Sequence, residues 1–266
     1  MVKKVSRGGD RLSKAKPLTE VEKFLVALFY GRSGTGKTTL YSTFPKPSLL
    51  LDFSDRGTDS IMDVEGIDYL SMDDWDDVPE TFYALEKQAK YKSLCLDTVA
   101  GMQRLAIDKV REEHKIDITT ALNRKNWGEV SGMLNTWLLN YRDLEMNVVF
   151  LAPDKVKHAT EDDDENLVGE DDRIDPEVGP ALIPSVALNL NAAVKIIGNT
   201  YIQQKTVIKG GKQVDVTHYM LRLGPHPYYI TKVRSPKSFK IPPAIANPSY
   251  SKIQKIIKGE YYVEKK

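Results

Sequence analysis

Residues Gly31-Arg32-Ser33-Gly34-Thr35-Gly36-Lys37-Thr38 have the types and spacing that hold phosphate. The pattern is Gly-x-x-x-x-Gly-Lys-Thr, the P-loop pattern. Glycines let the backbone turn so that successive N–H groups converge on phosphate oxygens. A helix opening near Lys37 adds its positive end. The Lys37 ammonium is placed to reach the β- and γ-phosphates, and the Thr38 hydroxyl to serve as a Mg²⁺ ligand. The expected nucleotide contacts are Gly31, Arg32, Ser33, Gly34, Thr35, Gly36, Lys37, Thr38 and Thr39.

A second carboxylate completes the metal side. Ser93-Leu94-Cys95-Leu96-Asp97 is an apolar strand ending in Asp, and the Asp97 carboxylate is expected to hold Mg²⁺ opposite Thr38. Cys95, in mid-strand, reads as a small core residue. Hydrolysis also needs a group to polarise water. Thr98 stands where many P-loop ATPases place a Glu. Leu49-Leu50-Leu51-Asp52-Phe53-Ser54-Asp55 puts carboxylates at the carboxyl edge of a sheet, so Asp55 is the expected base and Asp52 the second choice. Asp154 and Lys155 follow a later strand and are weaker candidates for sensing the γ-phosphate. The chain has no Asn-Lys-x-Asp guanine-reading motif, and its region for a kinase lid is acidic.

These residues need an alternating scaffold. Phe24–Tyr30, Ser48–Phe53, Leu94–Leu96 and Asn147–Ala152 are apolar runs of buried-strand length. Helical patterns cover Lys37–Thr43, Asp77–Lys90, Val99–Lys115 and Lys125–Leu144, with Pro79 in the first turn of the second. A short helix near Ala181–Leu190, a strand at Ala193–Ile197 and a hairpin of Tyr201–Ile208 with Val214–Leu223 around Gly210-Gly211 follow. The expected fold is α/β: a P-loop NTPase core with a mainly parallel sheet flanked by helices, and β-hairpin additions toward the C-terminus. Residues 1–19 read as a flexible basic arm, 20–250 as the ATPase domain and 251–266 as a basic C-terminal tail.

Charge bounds the partners. Over 266 residues the net charge is +1, with one Cys, which excludes a disulfide framework within the chain. The small sum conceals segregation. Residues 195–266 hold fourteen Lys/Arg against three Asp/Glu, residues 1–16 hold six against one, and the middle is correspondingly acidic. Ten of those acids fall within Glu161–Glu177, against Arg173 alone. Such a run reads as a solvated loop and does not track phosphates directly. DNA, if bound, must meet the basic arm, the hairpin or the tail. No apolar stretch is long enough to span a bilayer, and no apolar run follows the basic N-terminus as a signal peptide requires.

The chain resembles the short RecA-like ATPases encoded by bacteriophages, a group that includes single-strand-annealing recombination proteins. The resemblance rests on the P-loop, the acidic end of Leu49–Asp55, Leu96-Asp97-Thr98, and Tyr229-Ile230-Thr231-Lys232-Val233-Arg234, over roughly residues 20–250. It implies ATP and Mg²⁺ as cofactors, ATP hydrolysis, single-stranded DNA as partner and a homo-oligomer with nucleotide at its interfaces, in the cytoplasm of a bacterial host. It also implies that Lys232 and Arg234 reach a neighbour's nucleotide. The family usually has Glu at the end of the second strand, and the nearest match here is Asp55 or Ser54.

Overall fold

A computed structural model describes Pro17 and residues 24–53, 57–157, 177–209 and 212–261. Asp55, the arm 1–16, the end of the tail and the acidic run except Glu177 lie outside the described residues.

The core is one nine-stranded sheet. In chain order it uses β1 (Val26–Tyr30), β2 (Ser48–Asp52), β3 (Ile67–Ser71), β4 (Ser93–Asp97), β5 (Asn147–Ala152), β8 (Ile196–Lys209), β9 (Lys212–Arg222), β10 (Lys232–Val233) and β11 (Ala244–Ala246). Across the sheet the order is β11-β9-β8-β1-β5-β4-β2-β3, with β10 also on β8. From β8 to β3 every pair is parallel; β9, β10 and β11 join antiparallel. A separate antiparallel ribbon pairs β6 (Asp154–Lys157) with β7 (Glu177–Pro180). Parallel neighbours require crossovers, and the helices supply them.

Strand residues alternate between two apolar layers. Leu28, Leu51, Leu96 and Phe150 face one cluster with Val130, Leu134 and Leu138. Phe29, Leu50, Cys95 and Val149 face the other with Leu40, Ile253 and Ile256. This period of two puts helices on both faces, which is why β1, β2, β4 and β5 read as continuous apolar runs. One layer contains α2 (Asp77–Glu86), α3 (Val99–His114), α4 (Arg124–Arg142) and α5 (Pro184–Ala193); the other contains α1 (Lys37–Tyr41) and α6 (Tyr250–Ile257). Thr98 caps α3 by accepting from Gly101 N, and Asn123 caps α4 from Asn126 N. No described helix is long and apolar enough to cross a membrane.

Several elements depart from expectation. The strand at 193–197 and the first hairpin strand are one strand, β8, of fourteen residues. A Cβ at Gly198 would lie 2.6 Å from Leu221 Cδ1, so glycine serves close packing inside this strand. The stretch expected as a basic tail begins instead with α6, whose Ile253 and Ile256 are buried in the core. The helix expected over 77–90 stops at Glu86, with Gln88 N closing on Leu85 O at 3.1 Å. β3 is half-exposed and was not legible as a strand.

Gly101 locks α3 against the end of β2. A Cβ there would meet Phe53 O at 2.4 Å and Phe53 Cβ at 2.7 Å. Helix propensity favours Gly101→Ala by about 1 kcal/mol, but overpacking costs about 1–3 kcal/mol. We expect a net loss of stability, read as a lower denaturant midpoint at unchanged slope. An alanine variant as stable as wild type would show that the Phe53 backbone yields.

Candidate nucleotide site

Strand register brings the site together. Tyr30 lies level with Ala152, and Leu151 with Asp97. The ends of β1, β5 and β4 therefore share the carboxyl edge of the sheet, where open α/β sheets bind ligands. Gly31 N donates to Ala152 O at 3.2 Å, tying the P-loop to β5. Asp52 is level with Asp97 on the other side of β4.

A cleft of about 650 Å³ opens on this edge. Ser33, Gly34, Gly36, Lys37, Thr38 and Thr39 line it from the P-loop and α1, and Asp97, Thr98 and Pro153 from the ends of β4 and β5. Gly57, Asp59 and Ser60 contribute from the segment after β2, and Tyr219 from β9. Gly36 has a left-handed φ of 81°, and a Cβ on it would sit 3.1 Å from the Tyr219 ring, so this turn requires glycine twice over.

The fold brings Thr38 and Asp97 into contact. Thr38 Oγ1 donates to Asp97 Oδ2 at 2.9 Å although 59 residues separate them. A hydroxyl and a carboxylate oxygen side by side are the hard donors that Mg²⁺ takes. Among the described residues no group of three or more His, Cys, Asp or Glu gathers to hold a metal. The Asp97–Thr98 peptide bond is cis. Cys95 is fully buried, and burial, then the Asp97 charge, push its thiol well above its usual range, so it is a core residue. Lys37 Nζ donates to Gly31 O at 2.8 Å and Arg32 O at 2.9 Å, folding across the loop.

Gly31 and Thr35 of the P-loop are buried and do not line the cleft. Thr35 is buried; its hydroxyl donates to Arg32 O at 2.7 Å and shares a 2.7 Å hydrogen bond with Thr200 Oγ1. A Cβ at Gly31 would lie 2.4 Å from Thr200 O and 2.5 Å from Thr200 Oγ1. Thr200 is thus a buttress for Gly31, Arg32 and Thr35, absent from any reading of the P-loop pattern alone. Thr200→Val keeps the shape and removes the hydroxyl, at about 1 kcal/mol. We expect the KM for ATP to rise about threefold to tenfold with kcat nearly unchanged, and Thr200→Ser to restore it. A valine variant with wild-type KM would remove the buttress role.

The other expected residues fall in different places. Asp52 is buried and accepts from Tyr69 Oη at 3.0 Å. Asp154 and Lys155 turn away into β6, leaving Pro153 at the cleft. Asp59, which sequence reasoning missed, lines the cleft from a single turn of 3₁₀ helix, Asp59–Ile61. Lys232 and Arg234 lie elsewhere. Lys232 pairs with Ile197 and Arg234 N donates to Lys195 O, at the start of β8. Along β8 these points lie three residues, on the order of 10 Å, from Thr200 for Lys232 and five residues, on the order of 16 Å, for Arg234. Both cap α5: Lys232 Nζ donates to Asn191 O and to Ala192 O, and Arg234 Nη2 to Ala192 O. Partial burial, then the Arg234 charge, lower the Lys232 pKa.

The hairpin is anchored beside the P-loop. The Arg222 guanidinium lies 4.4 Å from the Tyr201 ring centroid and 3.9 Å from that of Tyr229, and donates to Asn199 Oδ1 at 2.7 Å. Tyr229 is committed to this contact. His226 Nδ1 accepts from Tyr228 N and Tyr229 N; burial and Arg222 hold its pKa low.

No curated protein matches the chain. A family model described as AAA domain matches residues 23–235. With a P-loop, an Asp97–Thr38 pair and a mainly parallel sheet flanked by helices, the chain belongs to this AAA-domain family of P-loop ATPases.

Proposed function

We propose that this protein is an ATP-hydrolysing, RecA-like protein of bacteriophage type that acts on single-stranded DNA in recombination or repair, as a homo-oligomer with nucleotide at its subunit interfaces. The observation that carries hydrolysis is the Thr38–Asp97 contact of 2.9 Å at the rim of the P-loop cleft. Bound there, Mg²⁺ supplies neutralisation of charge on the β- and γ-phosphate oxygens. The chain's own part is positioning and electrostatics. The P-loop amides and Lys37 would hold the phosphates, and Pro153 at the end of β5 lines the same cleft. Asp55 is our first choice for orienting that water. It precedes Gly57, which lines the cleft, by two residues. Lys232 and Arg234 do not line their own cleft, and in this reading they serve a neighbouring subunit's nucleotide.

Support for single-stranded DNA comes from the resemblance and from the charge pattern, in which the hairpin and both ends of the chain are basic. The test is ATPase activity with single-stranded DNA, double-stranded DNA or RNA at two salt concentrations. We expect single strands to stimulate turnover and the effect to fade with salt. Absence of both stimulation and a gel shift would overturn the DNA reading in favour of a nucleotide-dependent switch acting on protein partners.

A further inference from the structure

The two ends of the sheet are complementary in form and in charge. One end is β3, which among the described residues pairs only with β2. Its outer backbone edge borders a groove of about 800 Å³ between β3 and α2, floored by Leu49, Ile67 and Leu85 and rimmed by Asp68, Asp77 and Glu80. Tyr69 is 52% exposed and Leu70 41%. Residues 57–86 hold ten Asp/Glu and no Lys or Arg. Lys90 and Lys109 reach Asp68 and Asp76 and offset two of the ten.

The other end carries the β8–β9 hairpin. β8 leaves β1 at the Tyr30–Asn199 pair, while the ladder to β9 continues to Lys209–Lys212. About ten residue pairs, on the order of 30 Å, therefore continue past the end of β1. A two-stranded ribbon is marginal by itself in water, and this one exposes Ile202, Ile208, Val214 and Tyr219, Ile208 by 75%. Residues 200–220 hold three Lys and one Asp.

An acidic open strand edge with an apolar groove and a basic apolar ribbon at opposite ends of one sheet match each other, not themselves. We propose that the hairpin of one copy seats on the β3 edge and groove of the next, carrying the sheet from subunit to subunit head to tail. This rests on the oligomeric reading above and names its surfaces. The contact is strand addition with apolar anchors and opposite charge, which leaves a free hairpin at one end and a free edge at the other.

The experiment is sedimentation velocity on the full chain with ATP and Mg²⁺ across a range of concentration and salt. It uses wild type, Ile208→Asp on the hairpin and Leu70→Arg on the edge. Neither residue lines the nucleotide cleft, so both variants should keep wild-type ATP binding and melting temperature. We expect wild type to assemble, more weakly at high salt, and each variant to self-associate at least tenfold more weakly. Mixed in equal amounts, the two variants should form a dimer and nothing larger, because one sound hairpin meets one sound edge. A wild type that stays monomeric throughout would overturn both the oligomeric reading and this surface. Assembly of wild type and of both variants alike would overturn the surface alone. Loss of assembly in each variant with no rescue on mixing would point to a self-complementary contact and overturn the head-to-tail arrangement. Normal assembly of Ile208→Asp with loss of its single-stranded DNA gel shift would make the hairpin a DNA surface instead.

Discussion

Lys37→Ala should lower kcat/KM for ATP by about 10²–10⁴-fold, the scale of a removed charge stabiliser in a preorganised phosphate site. In P-loop NTPases the lysine at this position of the motif reaches the transferring phosphate. The fold should survive the change. Lys37 is part-exposed and donates to the carbonyls of Gly31 and Arg32 in its own loop. Unfolding midpoints should agree within about 0.5 kcal/mol, as for substitutions away from packed cores. Lys37→Arg should not restore activity, because a planar guanidinium does not replace a compact ammonium in a closed loop. Steady-state ATPase and nucleotide-binding measurements decide the matter; an alanine variant keeping more than a tenth of wild-type kcat/KM would remove Lys37 from the site.

Asp97→Asn separates metal from nucleotide. Asparagine can still accept from Thr38 Oγ1, now at 2.9 Å from the carboxylate, but it lacks the charge that favours a hard cation. We expect kcat to fall about 10²–10³-fold and the Mg²⁺ concentration for half-maximal activity to rise at least tenfold. Binding of ATP measured without Mg²⁺ should stay near wild type, since the P-loop is unchanged. A variant with wild-type Mg²⁺ dependence would place the metal elsewhere. Equal loss of ATP binding with and without Mg²⁺ would mean that Asp97 shapes the loop.

Contiguous chemistry was legible from the residues. Gly31–Thr38, the apolar strands and the placement of Asp97 at a strand end all depend on neighbours in sequence, where spacing and hydrophobic period carry the information. Contacts made across the fold were not. Thr200 supports Thr35 from 165 residues away, and Tyr219 and Asp59 enter the cleft from elements with no phosphate motif of their own. β3 was invisible because an edge strand is half wet and lacks the apolar run of a central one. Ser251–Lys258 reads in sequence as a short basic amphipathic stretch of the tail, and only the fold shows that its Ile253 and Ile256 pack beneath the sheet.

By itself, then, the sequence determined that this protein binds nucleoside triphosphate on an α/β scaffold, because a glycine-bearing loop between a buried strand and a helix is a local object. Tertiary structure alone decided which residues complete the site. Register levelled Tyr30 with Ala152 and Leu151 with Asp97, which brought Thr38 against Asp97 and admitted Pro153. The same register carried Lys232 and Arg234 to the opposite edge, where they hold the end of α5. It also set an acidic edge and a basic hairpin at opposite ends of one sheet. Strand order is settled by the packing of both faces at once, and linear spacing records only one strand at a time.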